Sequence, residues 1–280
     1  MNNRYTYGGG RRRRPPKSTS SILLILLAVA AFLVALVFLV IYLMGYRYMK
    51  ITTPDGDIKF YGKVDSTGTP FDGKLYLSDG SVAQVDMAAG KVVYANGDVY
   101  EGELLKLQRS GQGKITFADG QVCEGMFADD ELNGSGRIAF ANGDVYEGEL
   151  EDGMMDGFGT YTWANGGVYI GDYSKGMRHG QGKYISAEGN TYEGGYVNDR
   201  KEGKGSETFA NGDVYTGDYL GDTRTGEGTY TWANGDVYTG GFKNGDMDGQ
   251  GVYTWADGDH RTYTGTFREG AIVRTLPEEG

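Results

Sequence analysis

A period of 23 residues runs through most of this 280-residue chain and limits what the chain can fold into. The decapeptide ANGDVYEGEL occurs twice without a change, at 95–104 and again two periods later at 141–150. If its tyrosine is position 0, that position recurs every 23 residues at Tyr100, Cys123, Tyr146, Tyr169, Tyr192, Tyr215 and Tyr238. Internal periods of about 20–50 residues are typical of stacked arrays, in which each unit offers its neighbour the same surface.

Glycine is fixed at four positions of every unit, +2, +11, +13 and +20, which makes 28 glycines in 28 places. The chain holds 49 glycines but only five prolines, and no Gly-X-Y period occurs, so a collagen-like chain is excluded. Aromatic residues make up 13% of the sequence and supply apolar area that can offset chain entropy. The glycines therefore belong to a folded repeat rather than to a disordered segment.

Within each unit the apolar residues alternate, as in a strand with one buried face. In residues 144–166, Tyr146, Gly148 and Leu150 alternate with glutamates, and a second alternating run follows. Asn165-Gly166 between successive units predicts a type I′ hairpin turn, and the connection EDGMMDGFG is expected to be a longer loop. Each unit is predicted to be strand, loop, strand and tight turn, which makes the chain an all-β, elongated array of antiparallel β-hairpins.

Glycine inside a strand weakens it unless another group packs there. The strand glycines share a face with the tyrosines, so we expect an aromatic ring from an adjacent strand to cover each bare glycine backbone. The residues predicted to build this motif are Tyr100, Gly102, Tyr146, Gly148, Tyr169, Gly171, Tyr192, Gly194, Tyr215, Gly217, Tyr238 and Gly240. One hairpin alone cannot bury its rings, so the units depend on stacking for their stability.

The array extends beyond the seven regular units and is predicted to cover 58–275, about nine units plus a partial tenth. Phe60 begins one degenerate upstream unit and Ala83 a second with a shortened loop. A C-terminal tail at 276–280 carries Pro277 and two glutamates, which would blunt pairing at the last strand.

An apolar run of 23 residues, 22–44, has no charge and no proline and precedes the array. At 1.5 Å per residue it is about 35 Å of helix, enough to cross a bilayer core of about 30 Å. A cleaved signal peptide is the rival interpretation, because Ala28-Val29-Ala30 offers a cleavage site. The run continues 14 residues past Ala30, longer than a signal peptide requires, so an uncleaved single-pass signal anchor is favoured, with residues 45–57 as a juxtamembrane linker and cap.

Charge is distributed unevenly around this helix. Residues 1–50 hold eight basic residues and no acidic one, whereas 51–280 hold 19 basic and 38 acidic residues, a net charge of −19. Six of the bases precede the helix, so the positive-inside rule predicts a cytoplasmic N-terminus and an extracytoplasmic array. We expect residues 1–21 to form a disordered basic tail and the membrane to be the plasma membrane. Nucleic-acid or anionic-lipid binding is the alternative role for Arg11–Arg14, but a topogenic signal already accounts for them.

The frame Y-E-G-E-L, then G-x-G, then an aromatic residue, then N-G-D, resembles the MORN (membrane occupation and recognition nexus) repeat. The resemblance implies an elongated hairpin array without intrinsic catalysis, used as a scaffold, as a dimerising assembly or as a module that touches phospholipid. The chain departs from the pattern at position +4, where leucine, phenylalanine or tyrosine replaces the frequent tryptophan, and at Cys123, which replaces the first tyrosine.

Residues that could carry catalysis are few. The chain has two histidines and one cysteine, which support no nucleophile–base arrangement, and no cofactor or metal site is predicted. The carboxylates Glu101, Glu103, Glu147 and Glu149 are placed opposite the rings, either as a solvated face or as a partner face that docks a basic partner or divalent cations. A lipid-headgroup module is the alternative function, although the net charge of −19 opposes binding to anionic lipid.

Overall fold

The computed structural model describes residues 19–53, 56–105, 107–259 and 261–273 as one helix followed by one 21-stranded antiparallel sheet. Most of the predicted N-terminal tail (1–21) and all of the C-terminal tail (276–280) lie outside the described residues. The predicted fold class is confirmed. The helix is α1 Thr19–Leu43, and the strands are β1 Tyr46–Thr53, β2 Gly56–Val64, β3 Pro70–Tyr76, β4 Val82–Asp86, β5 Lys91–Tyr94, β6 Val99–Leu105, β7 Gln108–Thr116, β8 Val122–Ala128, β9 Glu131–Ala139, β10 Val145–Glu151, β11 Met154–Thr162, β12 Val168–Ser174, β13 Met177–Ile185, β14 Thr191–Val197, β15 Arg200–Thr208, β16 Val214–Leu220, β17 Thr223–Thr231, β18 Val237–Lys243, β19 Asp246–Thr254, β20 Thr262–Arg268 and β21 Ala271–Ile272.

Every strand pairs with the next strand in the sequence, so the sheet is a continuous meander. Two strands make one 23-residue unit. At about 4.8 Å between neighbouring strands, the ribbon measures about 95 Å along the hydrogen-bonding direction. A sheet of this kind has contacts only between sequence neighbours, which is the connectivity expected of a repeat protein.

The sheet begins earlier than the predicted boundary at residue 58. Residues 46–53, expected to lie in a linker and cap, form β1 and pair with β2 along its whole length, from Tyr46 opposite Lys63 to Thr53 opposite Gly56. Lys50 Nζ and a carboxylate oxygen of Asp57 lie 2.7 Å apart across this pair. The added strand covers the edge that β2 would otherwise expose.

The two kinds of hairpin turn are the reverse of the prediction. Asp152 and Gly153, inside a unit, join β10 to β11 as a two-residue loop in which both residues have positive φ, 47° and 74°, as a type I′ turn requires. At the Asn-Gly between units, only Gly166 has a positive φ (95°), and its N–H donates to the carbonyl of Trp163 at 2.9 Å. That connection is therefore a type I turn closed by a left-handed glycine.

The segment predicted to be a long loop is instead strand with a bulge. Gly148 of β10 pairs with Gly159 of β11 and Leu150 pairs with Met155, which leaves three residues of β11 opposite Glu149 alone. The glycine at position +11 lies in this bulge, and its φ is between 57° and 103° in all seven regular units. Glycine is fixed there because an L side chain is strained at such angles.

Candidate interaction surfaces

The sheet has two unlike faces. The ring face carries positions 0, +2 and +4, and the polar face carries positions +1 and +3. On the ring face the glycines at +2 and +13 pair directly across every strand from β6 to β20, for example Gly148 with both Gly136 and Gly159. Fifteen consecutive strands therefore contribute one glycine each to a continuous trough that runs across the strands.

The position 0 tyrosines lie in this trough and are at most 1% exposed. Each hydroxyl donates to the carbonyl oxygen of the residue three positions later, at 2.6 Å from Tyr146 to Glu149 and at up to 3.1 Å in the other units. Burial raises the pKa of Tyr146 to about 12, so the hydroxyl keeps its proton at any physiological pH. The tyrosines with this bond are Tyr100, Tyr146, Tyr169, Tyr192, Tyr215 and Tyr238.

In the units that begin with tyrosine, the structure places an aromatic ring over the strand glycines, and it does so in two ways. A Cβ built on Gly159 would lie 2.5 Å from ring carbon Cε2 of Tyr146, which comes from the adjacent strand, as expected. A Cβ on Gly148 would lie 2.5 Å from the hydroxyl of the same tyrosine, although Gly148 and Tyr146 belong to one strand. One ring thus covers a glycine of its own strand and the glycine paired with it.

The position +4 rings join neighbouring tyrosines into one chain of aromatic contacts. Tyr173 packs edge-on against Tyr146 and Tyr169, with ring centroids 5.4 and 5.3 Å apart. The same arrangement continues repeat by repeat to Phe267, which packs between Tyr238 and Tyr263. Edge-to-face contacts of this kind add to the energy of burial, so each repeat stabilises its neighbour through shared rings.

The unit that begins at Cys123 has no ring for its trough. Cys123 is buried, as expected of a small apolar residue, and burial raises the pKa of its thiol. Leucines take the place of the ring, because a Cβ on Gly136 would lie 2.8 Å from a methyl group of Leu150 and 3.2 Å from one of Leu132. The trough is therefore filled by tyrosine rings in the other regular units and by leucine side chains in the unit of Cys123.

An aspartate of the N-G-D turn links successive repeats, which the sequence alone did not indicate. Asp213 is buried, and its two carboxylate oxygens accept from the next repeat, one from the Ala233 amide at 2.8 Å and one from the Tyr230 hydroxyl at 2.7 Å. Asp144 and Asp236 make the same two bonds. These charge-assisted bonds connect turns that are about one period apart.

We expect acid to weaken this link. The Tyr230 hydroxyl and the Ala233 amide hold the pKa of Asp213 below its usual value, so its contribution to stability is complete above about pH 4 and is lost as the pH falls through the lowered pKa. In Asp213→Asn, the melting temperature should fall less between pH 5 and pH 2 than it does in the parent. Asn190 shows that asparagine fits this position, since its Oδ1 accepts from the Ala210 amide at 2.9 Å.

Thermal unfolding measured against pH checks this expectation. Glu188→Gln is the matched control, because Glu188 is exposed and makes no hydrogen bond to the described part of the chain. Parallel pH profiles for the parent and Asp213→Asn would show that the aspartate link contributes nothing to acid stability.

On the polar face, the carboxylates at position +1 are paired with bases. Glu147 lies 3.1 Å from Nε of Arg137, and Glu101 lies 3.6 Å from Nζ of Lys91. Because Lys114 lies beside Glu101 in the register, acids and bases alternate along this row from β5 to β10. The row is therefore a charge-compensated ladder rather than a bare acidic stripe.

The carboxylates at position +3 lie over the bulges. A Cβ on Gly111 would meet the carboxylate of Glu103, and one on Gly157 would meet that of Glu149. The Phe158 amide also donates to Glu149, at 3.4 Å. These two glutamates support the bulge, whereas Glu101 and Glu147 project into the row of paired charges. Their use as a partner face stays a prediction.

This architecture defines the class of protein: a single-layer β-hairpin repeat array with one long apolar helix and a ring-filled trough. Seven consecutive units match the MORN repeat, at residues 100–122, 123–145, 146–168, 169–191, 192–214, 215–237 and 238–260. The matched units cover more than half of the chain, so the chain belongs to the MORN-repeat family, as its sequence pattern predicted.

Comparison with solved structures finds matches of low sequence identity. The wild-type TCP10 domain of Danio rerio CPAP is 14% identical, with a TM-score of 0.36, over 70% of this chain and 94% of that chain. The TCP domain of Drosophila melanogaster SAS-4, in complex with a proline-rich motif of Ana2, is 15% identical, with a TM-score of 0.33, over 70% and 90%. No curated protein sequence matches the chain.

Proposed function

We propose that this MORN-repeat protein is a non-enzymatic interaction scaffold, tethered by α1 to the plasma membrane and displayed outside the cytoplasm. The observation that carries the proposal is the exposure of the helix. Ile22–Leu43 is long and apolar enough to cross a bilayer, and none of it is buried against the protein. Apolar side chains on every side of a helix are stable in lipid and costly in water.

The junction between α1 and the sheet supports a short tether. Nη1 of Arg47 donates to the carbonyl of Tyr42 at 2.7 Å, and its guanidinium lies 3.6 Å from the centre of the Tyr42 ring. The Val64 amide donates to the Gly45 carbonyl at 3.0 Å, which ties the end of the helix to the sheet. A tyrosine and an arginine at this level suit a membrane interface, where aromatic rings and basic groups are enriched.

The orientation rests on charge. Six bases precede the helix, and only Arg47, Lys50 and Lys59 follow within the next 15 residues, so the N-terminal side is expected to stay in the cytoplasm. The array outside carries a net charge of −19, which favours a protein partner or a second copy of the chain over anionic lipid. The long ribbon of similar units suits a scaffold, because it presents nearly the same surface many times.

The tether is tested by placing charge in the helix. The parent chain should stay in the membrane fraction after alkaline carbonate extraction, because about 22 apolar residues lie in lipid. The double variant Val34→Arg and Phe38→Arg should be released, since each arginine at the bilayer centre costs about 2.5–3.5 kcal/mol or more. Val34→Leu with Phe38→Leu is the control and should remain membrane-bound.

Orientation is tested on intact cells. Protease added outside should remove the array and spare the first 20 residues, and replacing Arg11–Arg14 with alanine should produce both orientations. Complete protection of the array would reverse the proposed topology. A mature chain that begins near Ala31, detected by mass spectrometry, would replace the anchor by a cleaved signal peptide.

A further inference from the structure

At the outer edge of the ring face, positions +15 and +17 carry a second row of aromatic side chains. Where both are aromatic, the rings pack with centroids 4.6–4.8 Å apart and planes tilted by 50–51°, as in Tyr161 against Trp163 and Tyr230 against Trp232. Isoleucine takes position +15 in the first two regular units, and in two neighbouring repeats a polar residue interrupts the row: Ser186 stands at +17 and Glu207 at +15. The missing rings leave a pocket of about 430 Å³, which both residues line.

A buried hydroxyl without a partner lines this pocket. Tyr196 is 2% exposed, and its hydroxyl makes no hydrogen bond to any described residue. One repeat further on, the equivalent Tyr219 donates to Oε2 of Glu207 at 2.7 Å. Buried hydroxyls without acceptors are rare because they are costly, so the Tyr196 hydroxyl indicates an acceptor supplied by a bound molecule.

Further donors in the pocket are uncommitted. The Ser186 oxygen accepts from the amide and the side chain of Asn190, at 3.1 and 3.2 Å, so its own O–H is left to donate. Arg178 uses Nε and Nη2 on Asp199, and its Nη1 has no hydrogen-bond partner among the described residues. Both residues line the pocket beside Tyr196.

The charges around the pocket balance. Arg178 and Lys201 are matched by Glu207 and Asp222. Glu207 has one oxygen 2.5 Å from Nζ of Lys201 and the other bonded to Tyr219. Among the described residues, Asp222 accepts only from the Lys201 amide, through Oδ1. A pocket with no net charge, in a domain of net charge −19, favours an uncharged molecule that both donates and accepts hydrogen bonds.

We infer that this pocket binds a mono- or disaccharide. Sugar hydroxyls accept from Tyr196, Ser186 and Arg178 and donate to the free oxygen of Asp222. Aromatic rings of Tyr184 and Phe209 line the same pocket and offer apolar surface to the C–H faces of a sugar ring. The volume lies within the usual range for small-molecule sites, about 300–1,000 Å³.

The test uses the full chain in lipid nanodiscs and saturation-transfer difference NMR with glucose, galactose, mannose, N-acetylglucosamine, maltose and cellobiose. At least one saccharide should bind. Tyr196→Phe should weaken its binding about tenfold or more, because the lost bond is buried. Ser186→Trp should abolish binding, because it restores the ring that other repeats carry, such as Trp163, and fills the pocket. Tyr173→Phe, at the same repeat position outside the pocket, should bind as the parent does.

Melting temperature gives an independent readout. Tyr196→Phe should melt no lower than the parent, because the hydroxyl that it removes has no partner, whereas Tyr219→Phe should melt lower because it loses the bond to Glu207. A clear drop for Tyr196→Phe would reveal an internal partner and overturn the inference. It is also overturned if none of the six sugars binds, if binding survives Ser186→Trp, or if phenylacetate or inorganic phosphate binds in place of the sugars.

Discussion

Gly148→Val is expected to lower the free energy of unfolding by about 1–3 kcal/mol, although valine is a good strand former. A Cβ at this position would lie 2.5 Å from Cα of Gly159, 2.5 Å from the Tyr146 hydroxyl and 2.7 Å from the Phe158 carbonyl oxygen. Two of these three atoms belong to the backbone and cannot move aside. The substituted strand must separate from its neighbour or displace the ring from the trough.

Glu147→Val is the matched control for Gly148→Val. It adds the same side chain one residue earlier, on the polar face, and removes only an exposed ion pair with Arg137, which is worth about 1 kcal/mol or less. Denaturant unfolding of the full chain in detergent, with limited proteolysis, compares the two variants. Gly148→Val should open the middle of the ribbon to protease before its ends, because coupling in an array is between neighbours. Equal unfolding midpoints would show that the trough does not need its glycines.

The trough was predictable because it depends on a pattern that the chain repeats many times. Alternation places Tyr146 and Gly148 on one face, and the fixed glycine at +2 requires a group to cover it. The sequence could not show that the ring covers its own strand's glycine, since this depends on the rotamer of Tyr146 and on the register of β10 against β11. Register and rotamer are set by neighbouring strands rather than by local composition.

The predicted turn types were wrong for a related reason. Asp152-Gly153 and Asn165-Gly166 are both strong type I′ signals, so the dipeptides alone cannot tell the two connections apart. The difference lies in pairing: Glu151 and Met154 pair directly beside Asp152-Gly153, whereas at the other connection a type I turn begins at Trp163. The bulge at Gly157 lengthens the strand that resembled a loop. A glycine-rich segment can be a bulged strand, and only its partner strand reveals this.

The contacts and the pocket that could not be predicted from the sequence form between neighbouring repeats. Asp213 looked like a turn residue, yet its carboxylate reaches the turn of the next repeat, 20 residues away. Glu147 lies on the polar face, and its pairing with Arg137 depends on the register of β9 and β10. The pocket at Ser186 and Glu207 is visible in the sequence only as two departures from a repeat. Such departures become informative once the structure shows which ring is missing.

Tyr215→Ala is expected to be the most damaging single substitution, costing about 3–5 kcal/mol, as large-to-small changes of buried aromatic residues do. Tyr215 is fully buried, and its ring lies over Gly217 and Gly228 and packs edge-on against Tyr219 and Phe242, with centroids 5.3 and 5.0 Å apart. Removing the ring empties the trough and breaks the aromatic chain between two repeats. The unit of Cys123 has leucines at its own position +9 and at position +4 of the next repeat, whereas Arg224 and Phe242 stand at these two places here, so no leucine fills the space.

Tyr215→Phe separates the ring from its hydroxyl. It removes only the bond from the hydroxyl to the Asp218 carbonyl, 3.0 Å long, so it should cost about 0.5–1.5 kcal/mol. Denaturant unfolding gives the two energies, and hydrogen exchange shows where protection is lost. In the alanine variant the loss should be greatest in β16–β19, because the repeats on either side of the gap share that ring. If phenylalanine costs as much as alanine, the buried hydrogen bond rather than the packed ring couples the repeats, and the glycine trough serves to bring that carbonyl within reach of the hydroxyl.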